Sequence, residues 1–485
     1  MHLKEVQTLG KSNKLGFWVL TALVVGNMVG SGIFMLPRSL SEAASPAGVI
    51  SAWLVTGLGV LMTALVFGNL AIRKPNLTGG PQIYAKELFK SGSHASTLSG
   101  FMSTWGYWIG NLAGNVAMIT TFAGYLSTFF PILTSGAKWF TIAGYTVKVG
   151  NGLTFMVCSI LLWGTHFIIL RGMESAGRLN FMATAAKIAG FILFIIVGLF
   201  AFEKSNILPL MATRLDDAGH TIGIMSQINS AAVNTLWAFI GVESAVVFAS
   251  RARKQTDVKR ATILGLFIAL GIYIGISTLV MGMLDQNTLI HSEKPLIDAI
   301  QTVLGPIGGK ALAAIGLISL FGSTIGWLML SAEVPYQAAK QGLFLPAFLK
   351  ESKKGLPSFS MLVSNGLGQL FIFSTVSKSI SGAFDFVIVI ATLAYLVPYF
   401  ISSVYQLKLV ITGETYNGAT KSRIADGIVA LLSTIYSVWV IIAGTADLKT
   451  FTYGMILLAS GIFFYSPLVK GKKAVAAEEK KALSA

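Results

Sequence analysis

The sequence predicts an all-α polytopic membrane protein of about twelve transmembrane helices, of which the first and sixth are broken mid-span. Three observations predict it. The 485 residues are 54% hydrophobic and only 12% charged, with a mean hydropathy of +0.72, a balance that no water-soluble globule of this length needs. Apolar runs of about 20 residues, the length that crosses a bilayer, recur along the whole chain. Two of those runs carry glycine and polar residues at their centres, roughly 210 residues apart.

The runs place spans near 17–37, 48–72, 97–130, 152–170, 180–202, 228–250, 261–284, 306–335, 359–377, 384–406, 425–445 and 450–468. Span one follows Lys4, Lys11 and Lys14, a pattern superficially like a secretion signal. The run is too long for one, has no small-residue cleavage site, and contains Gly26-Asn27-Met28-Val29-Gly30-Ser31-Gly32. In hydrocarbon an unpaired backbone N–H or C=O costs several kcal/mol, so non-helical backbone survives only where it lines a cavity or meets a ligand. Pro37 and Arg38 read as the end of span one, and Arg73, Lys74 and Pro75 as the end of span two. Leu77-Thr78-Gly79-Gly80-Pro81 then opens a short helix with Tyr84, Lys86, Glu87 and Lys90, expected as an amphipathic cytoplasmic connection. The second break falls in span six, at Trp237-Ala238-Phe239-Ile240-Gly241-Val242-Glu243-Ser244. Two matched breaks, one per half, point to a transporter. The segments 1–16 and 469–485 read as cytoplasmic ends.

The net charge of +16 raises nucleic acid as a partner, but the bases are spread over short loops without a basic arm, so no nucleic-acid partner is expected. The positive-inside rule accounts for them. With the N-terminus inside, 26 Lys and Arg fall in cytoplasmic segments against nine at the outer ends. Arg251, Arg253, Lys254, Lys259 and Arg260, between spans six and seven, mark the inside most clearly. Both termini then face the cytoplasm, and a multi-pass protein of a bacterial cell membrane is expected.

Few polar residues lie at bilayer depth. Asn111 and Asn115 are spaced i, i+4 on one face of span three, with Met118 one turn further. Glu243 and Lys187 are intramembrane charges, which are costly and functional by default; their structural alternatives are a cap on the broken backbone and a lysine snorkelling to an interface. Glu333 and Asp385 read as helix-end residues. His2, His94, His166, His220 and His291 never cluster with carboxylates at ligand spacing, and the single Cys158 offers neither a disulfide nor a thiolate site, so no metal and no cofactor are assigned.

These residues resemble a family. Gly26 to Phe34, the Gly-Gly-Pro at 79–81, Tyr107-Trp108 with Asn115, Trp237 to Ser244, and Leu396-Val397-Pro398-Tyr399 are similar to the amino acid–polyamine–organocation transporters. Within that superfamily they most resemble the bacterial basic amino acid/polyamine antiporters. The resemblance implies a 5+5 inverted repeat, with spans one to five at 17–202 and six to ten at 228–406, and two additional helices at 425–468. It implies a zwitterion site in the backbone at Met28, Gly30, Ser31 and Gly32, where the N–H groups of Ser31 and Gly32, at a half-helix start, hold the carboxylate. Carbonyls of Met28, Trp237 and Ile240 take the ammonium. The side-chain pocket is implied at Gly110, Asn111, Asn115, Met118, Trp327 and Ala391, with Trp237 and Trp327 as aromatic walls; a packed indole and interhelical hydrogen bonds are the bland readings of these side chains. Tyr107, Trp237, Glu243 and Tyr399 are implied in gating. A lysine like Lys187 stands in sodium-independent relatives where sodium-coupled ones bind their cation. Asn111 departs from the arginine/agmatine exchangers, which have a small residue there.

No paired catalytic residues appear at bilayer depth, so the chain reads as no enzyme, and no Gly-rich phosphate loop couples it to ATP. Channels usually repeat a filter by oligomerisation, and permease-like sensors often carry a long soluble extension. The expected function is alternating-access exchange of arginine, lysine or ornithine, independent of sodium. Histidine/histamine or another amino acid/amine exchange, and proton-coupled import, are the rivals. The expected partners are a small amino acid or amine and the bilayer, with a homodimer as a candidate assembly.

Overall fold

A computed structural model describes residues 16–77, 80–142, 145–171, 173–215, 221–247, 249, 252–444, 448–449 and 451–465; the cytoplasmic ends read from the sequence, Thr78, Gly79 and Arg251 lie outside them. It is helical almost throughout, and each predicted span coincides with a helix. Among the described residues eight helices are long and apolar enough to cross a membrane, nine when the bent pair Phe17–Met28 and Gly32–Ala43 is one span. The other three predicted spans are the long, more polar helix His94–Leu126 and two helices with shorter apolar stretches, Ala186–Phe200 and Phe451–Tyr465.

Several span ends differ from the sequence reading, each for a local reason. Span one does not stop at Pro37. Its outer half starts at Gly32 and runs through Pro37, inside the helix, to Ala43. Span three ends at Leu126, ahead of Pro131, with the short hairpin Lys138–Ile142 and Tyr145–Lys148 leading into span four at Val149–Arg171. Span five runs from Met173 to Phe200 and span seven from Gln255 to Met283. Span eight, Pro295–Lys340, is two helices joined across Gly305, whose φ of 65° breaks the helical path before Pro306. Spans nine, ten and eleven are Ser358–Ile372, Ile380–Thr412 and Thr420–Ala443.

The connection after span two is buried along one face, while Phe89 and Lys90 are exposed. Tyr84 is fully buried, and its ring stacks on Tyr405 of span ten at 5.8 Å. Ser96 Oγ and Ser99 Oγ donate to the carbonyls of Lys86 and Ala85, pinning this short helix to the start of span three.

Polar pegs hold the two ends of the bundle. At the end where span ten begins, Arg38 pairs with Asp385 at 2.6 Å and Glu42 at 3.0 Å, Ser39 Oγ donates to Asp385 at 2.6 Å, and Arg38 Nε donates to the Ile290 carbonyl. Asp385 thus joins the outer half of span one to span ten. At the opposite end Asp426 of span eleven is the hub. Its carboxylate accepts from Asn69 Nδ2 at 2.9 Å, Arg73 Nε at 2.7 Å and Tyr416 hydroxyl at 3.1 Å, while Asn69 Oδ1 accepts from Lys259 of span seven. Arg73 also lies 3.7 Å over the Tyr416 ring, a cation–π contact. Burial and the Asp426 carboxylate push the Tyr416 phenol up to about 12, so it remains a donor across the physiological range. Asp426→Ala leaves three donors around a lost acceptor and is expected to cost about 2–4 kcal/mol, read as a lower melting temperature of purified protein; Asp426→Asn should recover part of the loss.

Candidate functional site

The two broken spans meet. Span one is helical to Met28 and resumes at Gly32 with a bend of 48°, and Val29 between them has the non-helical ψ of 72°. Span six is helical from Ile224 to Phe239, turns extended at Ile240 (ψ 132°), and resumes at Ser244. Gly241 has φ of +106°, a conformation L side chains rarely adopt. A Cβ there would lie 3.0 Å from the Asn27 carbonyl carbon and 3.1 Å from the Met28 nitrogen, so glycine also lets the backbones touch. Asn27 Nδ2 donates to Ser244 Oγ at 2.8 Å, locking one break to the other.

Backbone groups are free at this junction for a simple reason. Gly32 opens the outer half-helix and Ser31 precedes it, so their N–H groups have no carbonyl one turn back to bond. Gly30 N–H turns inward to the Met28 carbonyl at 2.7 Å, and Ile240 N–H to the Trp237 carbonyl at 3.1 Å. Each of those two carbonyls keeps a second lone pair.

Above the junction stands an aromatic and amide wall. Trp237 and Trp327 have ring centroids 6.3 Å apart at 37°, and both face span three, where a Cβ on Gly114 would be 3.1 Å from each ring. Trp237 also lies 3.4 Å from the Cβ position of Gly32. Met118 Cε sits 2.5 Å from the Cβ position of Gly30, and Ala391 packs its carbonyl on Gly110 at 3.4 Å. Asn111 Nδ2 is fixed by the Tyr107 carbonyl at 2.6 Å, which leaves its Oδ1 without a partner. Ser31 Oγ, Asn115 Oδ1 and Trp237 Nε1 are likewise buried without a hydrogen bond among the described residues. Buried polar atoms are ordinarily paired, and these four, with the Ser31 and Gly32 N–H groups, are ones that a polar ligand could meet.

On the other side of span six, Glu243 is buried and fully engaged. Its Oε1 accepts from Tyr107 hydroxyl at 3.0 Å, and its Oε2 from Tyr399 hydroxyl at 2.5 Å and Gly241 N–H at 3.0 Å. The carboxylate therefore ties spans three, six and ten and braces the Gly241 turn. Lys187 is buried, with Nζ 3.5 Å from the Gly26 carbonyl just before the first break. No cluster of metal-binding side chains occurs among the described residues.

The structure thus brings Met28 to Gly32, Gly110 to Met118, Trp237 to Glu243, Trp327, Ala391 and Tyr399 to one region and sets Lys187 against its edge. Sequence reasoning missed Tyr395. Its ring meets Tyr107 edge-on at 5.0 Å, occupies the space a side chain on Gly110 would need, and carries a buried hydroxyl without a partner among the described residues. Its position midway between Ala391 and Tyr399, one helical turn from each, is the signal that could have found it.

A helical membrane bundle whose two unwound spans touch defines a transporter of small solutes rather than an enzyme. The chain belongs to the amino acid permease family, whose model matches residues 15–465. It is 51% identical, over 95% of its length and 98% of the relative's, to a Bacillus subtilis (strain 168) protein named "Putative arginine/ornithine antiporter". It is 34% identical to an arginine/ornithine antiporter of Pseudomonas aeruginosa, over 94% of the chain and 91% of that protein. It is also 34% identical to an arginine/agmatine antiporter of Chlamydia abortus, over 96% of the chain and 91% of that protein.

Gly241→Ala is expected to destabilise the protein by about 2 kcal/mol or more and to abolish substrate binding by separating the breaks, measured by thermal unfolding together with ligand-induced stabilisation.

Proposed function

We propose that this chain exchanges a basic amino acid, arginine, lysine or ornithine, for a related amino acid or its amine product across a bacterial cell membrane. The carrying observation is the contact of the two unwound segments beneath a wall of aromatic and amide groups. The free N–H groups of Ser31 and Gly32 suit a carboxylate, and the second lone pairs of the Met28 and Trp237 carbonyls, with the Ile240 carbonyl, suit the ammonium. The names of the relatives support the basic side chain. That side chain would lie along Trp327 and Trp237, whose faces attract a cation by about 0.5 to 2 kcal/mol, with Asn111 and Asn115 offering neutral acceptors. Gly110, Met118 and Ala391 shape the slot. Alternating access would use the Glu243, Tyr107 and Tyr399 ring as its gate beside the substrate, with Trp237 shifting to occlude it. The two inverted repeats of five spans would supply the moving and fixed parts. The candidate homodimer is tested by light scattering of the detergent-solubilised protein.

Proteoliposomes loaded with unlabelled arginine, ornithine, lysine or histidine should accelerate entry of labelled arginine, with histidine least effective. No stimulation by any basic amino acid would overturn the reading. Trp327→Leu should weaken arginine more than a neutral analogue of similar length; equal losses mean packing alone.

The approach of Lys187 to the Gly26 carbonyl supports a cation beside the first break that would repel sodium, so exchange should run equally in sodium and in choline. Glu243→Gln should flatten the dependence of exchange rate on pH while leaving part of the equilibrium binding. A strict sodium requirement would remove Lys187 from this role, and an unchanged pH profile would remove Glu243 from the gate.

A further inference from the structure

Away from the substrate site, a groove of about 660 Å³ opens between spans three, nine, ten and twelve, within the size range of ligand clefts. Its walls are apolar and face outward: Leu370 is 63% and Phe373 53% exposed. In a bundle that spans a bilayer such a face meets lipid. The rim is different. Lys378, from the turn between spans nine and ten, and Lys449, from the link before span twelve, both line the groove at one end, with Ser374 between them and the apolar walls. Ser374 Oγ is buried and has no hydrogen-bond partner among the described residues. None of the described ion pairs involves either lysine, and no carboxylate is among the residues lining the groove.

We infer that this groove binds an anionic phospholipid, with an acyl chain along Leu370 and Phe373 and the phosphate between Lys378, Lys449 and the Ser374 hydroxyl. The arrangement matches that ligand in order: apolar length first, then a hydroxyl donor, then two cations at headgroup height. Lysines at a membrane surface attract acidic lipid individually, and two converging on one cleft with a free hydroxyl give that attraction a fixed address. The groove also reaches the substrate helix. Ile109 of span three lines it, two residues from Tyr107, and the Leu457 carbonyl beside it accepts from Trp105 Nε1 of the same span at 3.0 Å. An occupant would therefore buttress the back of the helix that carries Asn111 and Asn115.

The test uses the full chain in nanodiscs of mixed phosphatidylglycerol and phosphatidylcholine, with retained lipid read by native mass spectrometry. Wild type should keep phosphatidylglycerol selectively. Lys378→Glu with Lys449→Glu should lower that retention by about tenfold to thirtyfold, and Lys378→Arg with Lys449→Arg should restore it. Lys138→Glu with Lys148→Glu, the same charge change on the hairpin between spans three and four, should leave retention unchanged. Equal loss in that control would mean general surface charge, and absence of selectivity in wild type would mean a groove filled by any lipid; either overturns the inference. Retention unaffected by the Lys378 and Lys449 pair, or a change in oligomeric state in its place, overturns it as well. Arginine-induced thermal stabilisation confirms that each variant is folded.

Discussion

The contact on which the rest of the molecule depends is backbone against backbone, where Gly241 of span six lies on Asn27 and Met28 of span one. A helix interrupted in hydrocarbon is costly by itself, because each freed amide has lost its partner and water is absent. Bringing two interruptions together changes that balance. Ile240 and Gly30 turn their N–H groups back onto nearby carbonyls, Asn27 bridges to Ser244, and Glu243 takes the Gly241 N–H. The groups left unpaired by the breaks and on span three include Ser31 Oγ, Asn111 Oδ1, Asn115 Oδ1 and Trp237 Nε1.

Glu243 shows how the junction is braced. An isolated carboxylate at this depth would be among the most expensive groups in the protein, yet it meets three donors from three different segments. Tyr107 reaches it from span three and Tyr399 from span ten, while the backbone donor is two residues away in its own turn. The same span-three residue, Tyr107, lends its carbonyl to Asn111. The Glu243 carboxylate and the Asn111 amide are thus connected through a single residue of one helix.

Much of this is legible in the sequence, because glycines and polar residues inside an apolar run are costly at bilayer depth unless the chain unwinds there to meet a partner or a ligand. The twelve helices, both breaks, and the asparagine face of span three follow from composition and spacing. Span ends follow less well: Pro37 reads as a terminator yet lies inside the outer half-helix, and Gly305 adds a bend where hydropathy is smooth. Pairings across the fold leave no local trace. Arg38 and Asp385 are 347 positions apart, and Asp426 of span eleven takes Asn69 and Arg73 of span two, with Asn69 passing the link on to Lys259 of span seven. Tyr84 is hidden for the same reason, since an aromatic beside Lys86 and Glu87 suggests an interface until Tyr405 is known to lie above it.

The four unpaired polar atoms near the breaks carry a kinetic consequence. A closed site holding neither ligand nor water would leave Ser31 Oγ, Asn111 Oδ1, Asn115 Oδ1 and Trp237 Nε1 desolvated and unanswered, at about 1–3 kcal/mol for each such group. A zwitterion with a donor-rich side chain, bound there as proposed, would relieve part of that cost. An occluded intermediate would then be lower in energy loaded than bare, and each 1.4 kcal/mol of difference is about tenfold in rate. A carrier of this kind crosses readily with cargo in either direction and slowly without it. One-for-one stoichiometry can in this way arise from unsatisfied hydrogen bonds alone, with no separate latch to forbid the empty return.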